Sequence, residues 1–159
     1  MPTAEDNRRA IADFYAAFAE RDGDAMAAHY APGATFHDPA FGDLSGEEAG
    51  DMWRMLTGRS KDLKVEFSGV DANDTTGKAH WVATYSFGPS QRKVVNVIDA
   101  EFRFKDGLIV DHKDTFDFYK WTRMALGPAG MLLGWTPIIQ NKVRAQAMDG
   151  LNKFQASRP

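Results

Sequence analysis

The chain has 159 residues, of which 43% are hydrophobic and 26% charged, and carries a formal net charge of −3. That length fits one domain with a real core, and with no run of Lys or Arg it argues against a nucleic-acid partner. There is no cysteine, which excludes disulfides, thiolate metal sites and cysteine nucleophiles.

The first residues, MPTAEDNRRAIADFYAAF, mix acids and bases and contain no signal-type apolar core. Ile11, Phe14, Tyr15 and Phe18 recur at i, i+3, i+4 and i+7, the stripe of an amphipathic helix. Asp22-Gly23 breaks it. A second short helix is expected to carry Met26 and Tyr30 and to end at Pro32-Gly33. ATFHD, ending at Asp38, reads as a short strand that includes Phe36. Ser45 followed by Glu47 and Glu48 reads as a helix start; that helix should run to about Thr57 and bury Met52, Trp53 and Leu56.

The period then changes to two. Leu63, Val65 and Phe67 alternate with polar residues; Ala79, Trp81, Ala83, Tyr85 and Phe87 share a strand face. RKVVNVIDAEFRF is a long strand, Asp106-Gly107 a turn and LIVDHKDTFDF the returning strand. Helices followed by a meander of strands imply an α+β fold, with a curved antiparallel sheet wrapped around the N-terminal helices. The tail from residue 121 to 159 reads as a C-terminal helical extension packed on the domain formed by residues 1–120; its apolar residues, Trp121, Met124, Leu132, Leu133, Trp135, Ile138 and Ile139, suit it to fold over a cavity mouth, across a dimer partner or on the outside of the sheet. It contains a broken helix, an apolar Gly/Pro turn and a helix from about Pro137 to Phe154. The apolar run from Met124 to Ile139 is interrupted by glycines and prolines and is too short to span a bilayer. The expectation is a soluble, cytoplasmic chain with no membrane partner.

Three places stand out chemically. On the last strand the even positions Leu108, Val110, His112, Asp114, Phe116 and Phe118 form the inward face, so His112 and Asp114 intrude on apolar surroundings. A carboxylate buried there needs a partner or a shifted pKa. On the preceding strand, Asp99 follows an apolar run and shares a face with Glu101. That face is either solvated beyond Val97, or it sets Asp99 in a pocket where a neutral carboxylic acid could donate to an oxyanion. Asp38 is either a turn residue or a base at a pocket mouth. His29, His37, His80 and His112 show no metal-ligand spacing, so no metal and no cofactor are expected.

The stretches RDGDAMAAHYAPGATFHDP, LSGEEAGDMW and EFRFKDGLIVDHKDTFD, in that order, resemble the nuclear-transport-factor-like superfamily over about residues 5–120. That superfamily includes ketosteroid isomerases, SnoaL-like polyketide cyclases and limonene-epoxide hydrolases. The resemblance implies a cone-shaped fold with a deep apolar cavity, and a homodimer. It implies Asp38 as a general base and Asp99 as a protonated oxyanion donor. In the isomerases a first-helix tyrosine completes that pair; here Phe14 takes its register, with Tyr15 one residue on, about 100° around the helix. At the hydrolases' Arg and one of their Asp positions stand Trp81 and Ala83, which argues against epoxide hydrolysis. His112 and Asp114 fit loosely the acid–base groups of the cyclases.

The expected activity is therefore cofactor-independent proton transfer on a small apolar carbonyl compound, of isomerase or aldol-cyclase type. Asp38, Asp99, Asp114 and His112 would be the working groups. Phe14, Tyr15, Phe36, Trp53, Trp81 and Tyr85, with Glu101 and Phe116, would hold the substrate. A non-catalytic ligand-binding or dimerisation domain is the alternative reading.

Overall fold

The structure, a computed structural model, describes residues 2–59 and 61–158. Helix α1 (Ala4–Ala19) starts at Thr3, whose side chain accepts from the Asp6 amide while the Asp6 carboxylate accepts from the Thr3 amide. This reciprocal box satisfies two otherwise orphaned donors. The stripe Ile11, Phe14, Tyr15 and Phe18 is buried, as its spacing requires. Helix α2 (Gly23–Ala27) is capped by Asp22. It stops short of Tyr30, which opens strand β1 (Tyr30–Asp38) instead. Gly33 takes a positive φ of 77° inside β1, so Pro32-Gly33 bends a strand rather than ending a helix.

Strand β2 (Gly42–Ser45) returns from β1 as a hairpin. Helix α3 (Gly46–Arg59) begins with a second reciprocal box, between Ser45 and Glu48. Strands β3 (Lys64–Ala72), β4 (Thr76–Phe87), β5 (Arg92–Lys105) and β6 (Leu108–Thr115) complete one curved sheet of order β2-β1-β6-β5-β4-β3. It is antiparallel except at the β1–β6 pair, which is parallel, so the sheet is mixed. Helices α1–α3 pack on its inner face.

Two strands decide which side chains reach that face. Along β5, Val94, Asn96, Ile98, Ala100, Phe102 and Phe104 point in, and every odd residue points out. Along β6 the parity changes once. Ile109 pairs with Phe104 while Asp111 pairs with Arg103, leaving Val110 as an extra residue. Ile109 is therefore the buried residue before the bulge, in place of the expected Leu108 and Val110, and His112 and Asp114 are the buried ones after it.

Beyond β6, Asp117 caps α4 (Phe118–Leu126). Then follow α5 (Pro128–Leu133) and α6 (Pro137–Ser157), the latter capped by Thr136. Val94, Trp121, Ala125 and Val143 form a small second core beneath this cap. No helix among the described residues is long and apolar enough to cross a membrane.

Candidate active site

A cavity of about 360 Å³ lies between the inner face of the sheet, α3 and the cap. Phe18, Met52 and Trp53 form one wall, and Trp81, Tyr85 and Ile98 the opposite one. Trp121, Leu126, Val143 and Ala147 close it from the cap side. The lining of this largely apolar space also includes two carboxylates, Asp38 and Asp114, two amides, Asn96 and Gln146, and the basic residue Arg59.

Asp38 ends β1, where the chain turns toward β2. Its Oδ1 accepts from the amides of Ala40 (2.9 Å) and Phe41 (2.5 Å), so it does shape the turn. The same side chain lines the cavity. Burial pushes its pKa up to about 6; the Phe41 and Ala40 amides and His37 pull it down, while the negative charge of Asp114 pushes it further up. An aspartate with that value is a base poised near neutrality.

Asp114 is held by a hydrogen-bonded chain whose direction can be worked out. The Trp53 indole has only a proton to give, and it gives it to Tyr30 Oη at 2.9 Å. Tyr30 then donates its single hydroxyl proton to His112 Nδ1 at 2.8 Å. His112 must accept there, so its proton sits on Nε2 and is donated to Asp114 Oδ1 at 2.9 Å. Every member of this chain has a hydrogen-bond partner, and His112 is fully buried. His112 does not line the cavity; it orients Asp114 from behind.

Tyr85 presents the other useful group. Its oxygen accepts from Trp121 Nε1 at 2.8 Å, and its own proton has no acceptor among the described residues. Burial raises its pKa, and the negative charge of Asp38 raises it further, which places the two side chains within electrostatic reach. Trp81 Nε1 is buried without a hydrogen-bond partner among the described residues. Tyr85 is thus a neutral donor in the lining of the cavity that also holds Asp38.

Several expected residues lie elsewhere. Asp99 is on the outer face of β5, exposed and paired with His80 Nδ1 at 2.9 Å. It does not lie in the pocket and cannot serve as an oxyanion donor there, because the β5 alternation that buries Ile98 and Ala100 must expose Asp99 and Glu101. Glu101 is likewise not a wall residue. Phe14 sits edge-on to Tyr15, Tyr30, Trp53 and His112 in the core behind the cavity. Tyr15 stacks on Phe67, and its buried hydroxyl finds no partner and does not reach the cavity. Phe36 packs against Trp53 and His112. Trp53, Trp81, Tyr85 and Phe116 do line the cavity. Asn96 and Trp121 were not anticipated. Asn96 was readable as the polar residue in phase with Phe102 and Phe104; Trp121 lies in the extension, where no strand register guides the eye.

A curved sheet, helices on its inner face and a carboxylate-bearing apolar cavity define an α+β pocket protein of the nuclear-transport-factor-like kind. Residues 11–112 match the family model of the SnoaL-like domain, and the chain belongs to that family. No curated protein matches it in sequence. Among solved structures it resembles a SnoaL-like polyketide cyclase, so designated without proof, from Jannaschia sp. CCS1. That match has a TM-score of 0.69 and 14% identity, covering 80% of this chain and 96% of that one. It also resembles a limonene-epoxide-hydrolase-like epoxide hydrolase of M. tuberculosis, with a TM-score of 0.65 and 21% identity, covering 81% and 94%. A third is Bal32a, from a soil-derived mobile gene cassette, with a TM-score of 0.64 and 24% identity, covering 76% and 97%. At these identities the likeness establishes the fold.

Proposed function

We propose that the protein is a cofactor-independent acid–base enzyme acting on a small apolar carbonyl compound. The observation that carries this reading is the pair of carboxylates, Asp38 and Asp114, set in one apolar cavity, with Asp38 tuned to about 6. Buried carboxylates are costly, and a site that keeps two of them in mainly apolar surroundings needs a use for them.

In this mechanism the Asp38 carboxylate takes a proton from the carbon beside the substrate carbonyl. The C–H electron pair moves into the new C=C bond, and negative charge develops on the oxygen. The free Tyr85 proton is donated to that oxygen as a hydrogen bond, replacing the role that the resemblance had given to Asp99. Protonated Asp38 then returns its proton to a different carbon, which is isomerisation. Alternatively, the enolate carbon attacks a second carbonyl in the same molecule, whose C=O π pair moves onto oxygen, and that alkoxide takes the proton from Asp38, which is an aldol closure. The Asp114 charge keeps Asp38 basic, and the apolar walls exclude water that would weaken each of these interactions. Trp81 and Ala83, at the positions where a hydrolase would need charged groups, leave epoxide opening without its machinery.

The test is hydrogen exchange in deuterated water with a panel of apolar cyclic ketones and β,γ-unsaturated ketones, followed by NMR. Exchange at the α-carbon that Asp38→Asn abolishes, and that Tyr85→Phe slows about 10²-fold, is the expected result. Binding of the same compounds with no exchange in the native protein would make the cavity a ligand-binding site instead.

A further inference from the structure

The cap carries an exposed apolar patch that the site does not use. Leu132 is 71% exposed, Trp135 65% and Ile138 78%, and Met131 and Leu133 are exposed beside them. Five large apolar side chains within eight residues exceed the scattered exposure normal for a soluble surface. The patch is framed by positive charge. Between Asp117 and Asp149 there are four basic residues, Lys120, Arg123, Lys142 and Arg144, and no acidic one, although the whole chain carries −3.

The framing is spatial as well as sequential. Tyr119 donates its hydroxyl proton to the Met131 carbonyl at 2.7 Å, and the Arg123 guanidinium lies over the Tyr119 ring, 4.9 Å from its centre. Lys142 follows Ile138 by four residues on α6 and so shares its face. Aromatic and aliphatic side chains flanked by bases are the chemistry of an interfacial surface that dips into an anionic bilayer. Arg144 is turned away toward the Pro39 carbonyl, but a two-fold contact through the patch would still bring Arg123 and Lys142 of one copy close to their counterparts in the other. The same cap closes the cavity through Trp121, Leu126 and Val143.

The geometry points to the α5–α6 patch as a docking surface for an anionic lipid bilayer, bringing the cavity next to a reservoir of apolar molecules. The expectation of no membrane partner weighed this run only for spanning; lying on a surface demands far less apolar length.

The test is co-sedimentation of the full chain with vesicles of phosphatidylcholine alone and of phosphatidylcholine mixed with phosphatidylglycerol. Binding should require the anionic lipid and weaken as salt is added. The other three tryptophans, Trp53, Trp81 and Trp121, are buried, so a blue shift of emission on binding should vanish in Trp135→Phe. Leu132→Glu with Ile138→Glu should reduce partitioning more than tenfold, and Lys142→Ala about fivefold; both alter exposed groups and leave the fold, read by circular dichroism, unchanged. No binding to anionic vesicles at low salt overturns the proposal. So does binding that both variants retain, and so does a dimer that Leu132→Glu dissociates in a chain that ignores vesicles.

Discussion

Asp38 carries two loads at once: its turn amides favour the ionised form, and its cavity opposes it. With a folded pKa of about 6 against an unfolded value near 3.9, the fold prefers the proton-bound form. Its favourable contribution is therefore complete below about pH 4 and is lost as the pH rises through about 6. Asp38→Asn should raise stability at about pH 8 by up to roughly 3 kcal/mol and change it little at about pH 4, measured as denaturation midpoints at the two values. Activity should run the opposite way, rising as the pH passes about 6 and Asp38 ionises. A second residue-scale prediction concerns Tyr30. Tyr30→Phe keeps the ring but strands the Trp53 indole proton and His112 Nδ1, both buried. It should cost about 2–3 kcal/mol in urea unfolding, and it should slow exchange chemistry by letting Asp114 drift.

Strand parity decides which carboxylates reach the cavity. In β6 the single extra residue, Val110, returns His112 and Asp114 to the inner face after Ile109 has used it. Deleting Val110 would bring His112 two residues after Ile109, so a plain alternation would keep Ile109, His112 and Asp114 together on the inner face. The deletion should therefore leave unfolding cooperative and move the melting temperature by no more than about 4 °C, as read by near-UV dichroism; loss of the near-UV signal would show that the bulge itself is required. Parity also explains what was legible in the sequence. His112 and Asp114 could be placed inward because Phe116 and the apolar residues before them set a phase. The bulge between them and Ile109 left no mark, since Leu108, Ile109 and Val110 are all apolar and any of them could be the buried one. Asp99 was misplaced because VVNVI is apolar on both faces and hides its phase; Phe102 and Phe104, on the same strand, reveal it. Tyr30 was read onto a helix because Met26 and Tyr30 stand four apart, a helical spacing that the chain does not use there.

At the scale of the whole molecule, the cavity belongs to two layers that are joined by few bonds. The sheet and α3 supply the carboxylates, and α4–α6 supply the closing wall. The helical character of the tail is readable from its periodicity and from Pro137, and its apolar content suggests a cover for the cavity mouth; the choice among that cover, a dimer contact and the outside of the sheet is not readable, because nothing in one sequence pairs Trp121 with Tyr85. Apart from apolar packing, a strong tie is Asp51 on α3. Although burial opposes its ionisation, hydrogen bonds from Gln155 and Arg54 and the charge of Arg158 hold its carboxyl below the usual range. Gln155 Nε2 donates to it at 3.0 Å and Arg158 donates beside it, so one carboxylate fastens the end of α6. Gly150 and Ala147, one and two turns earlier on that helix, line the cavity. Asp51→Ala should therefore release the last turns of α6 while leaving the sheet intact. Amide hydrogen exchange should quicken over residues 150–157 and stay unchanged in β4 and β5. Apolar ligands that raise the melting temperature of the native chain should raise that of the variant less, because part of their binding must first re-order the wall. If exchange quickened equally in β5, the two layers would open as one unit, and ligand release would need global unfolding rather than a loosened cap.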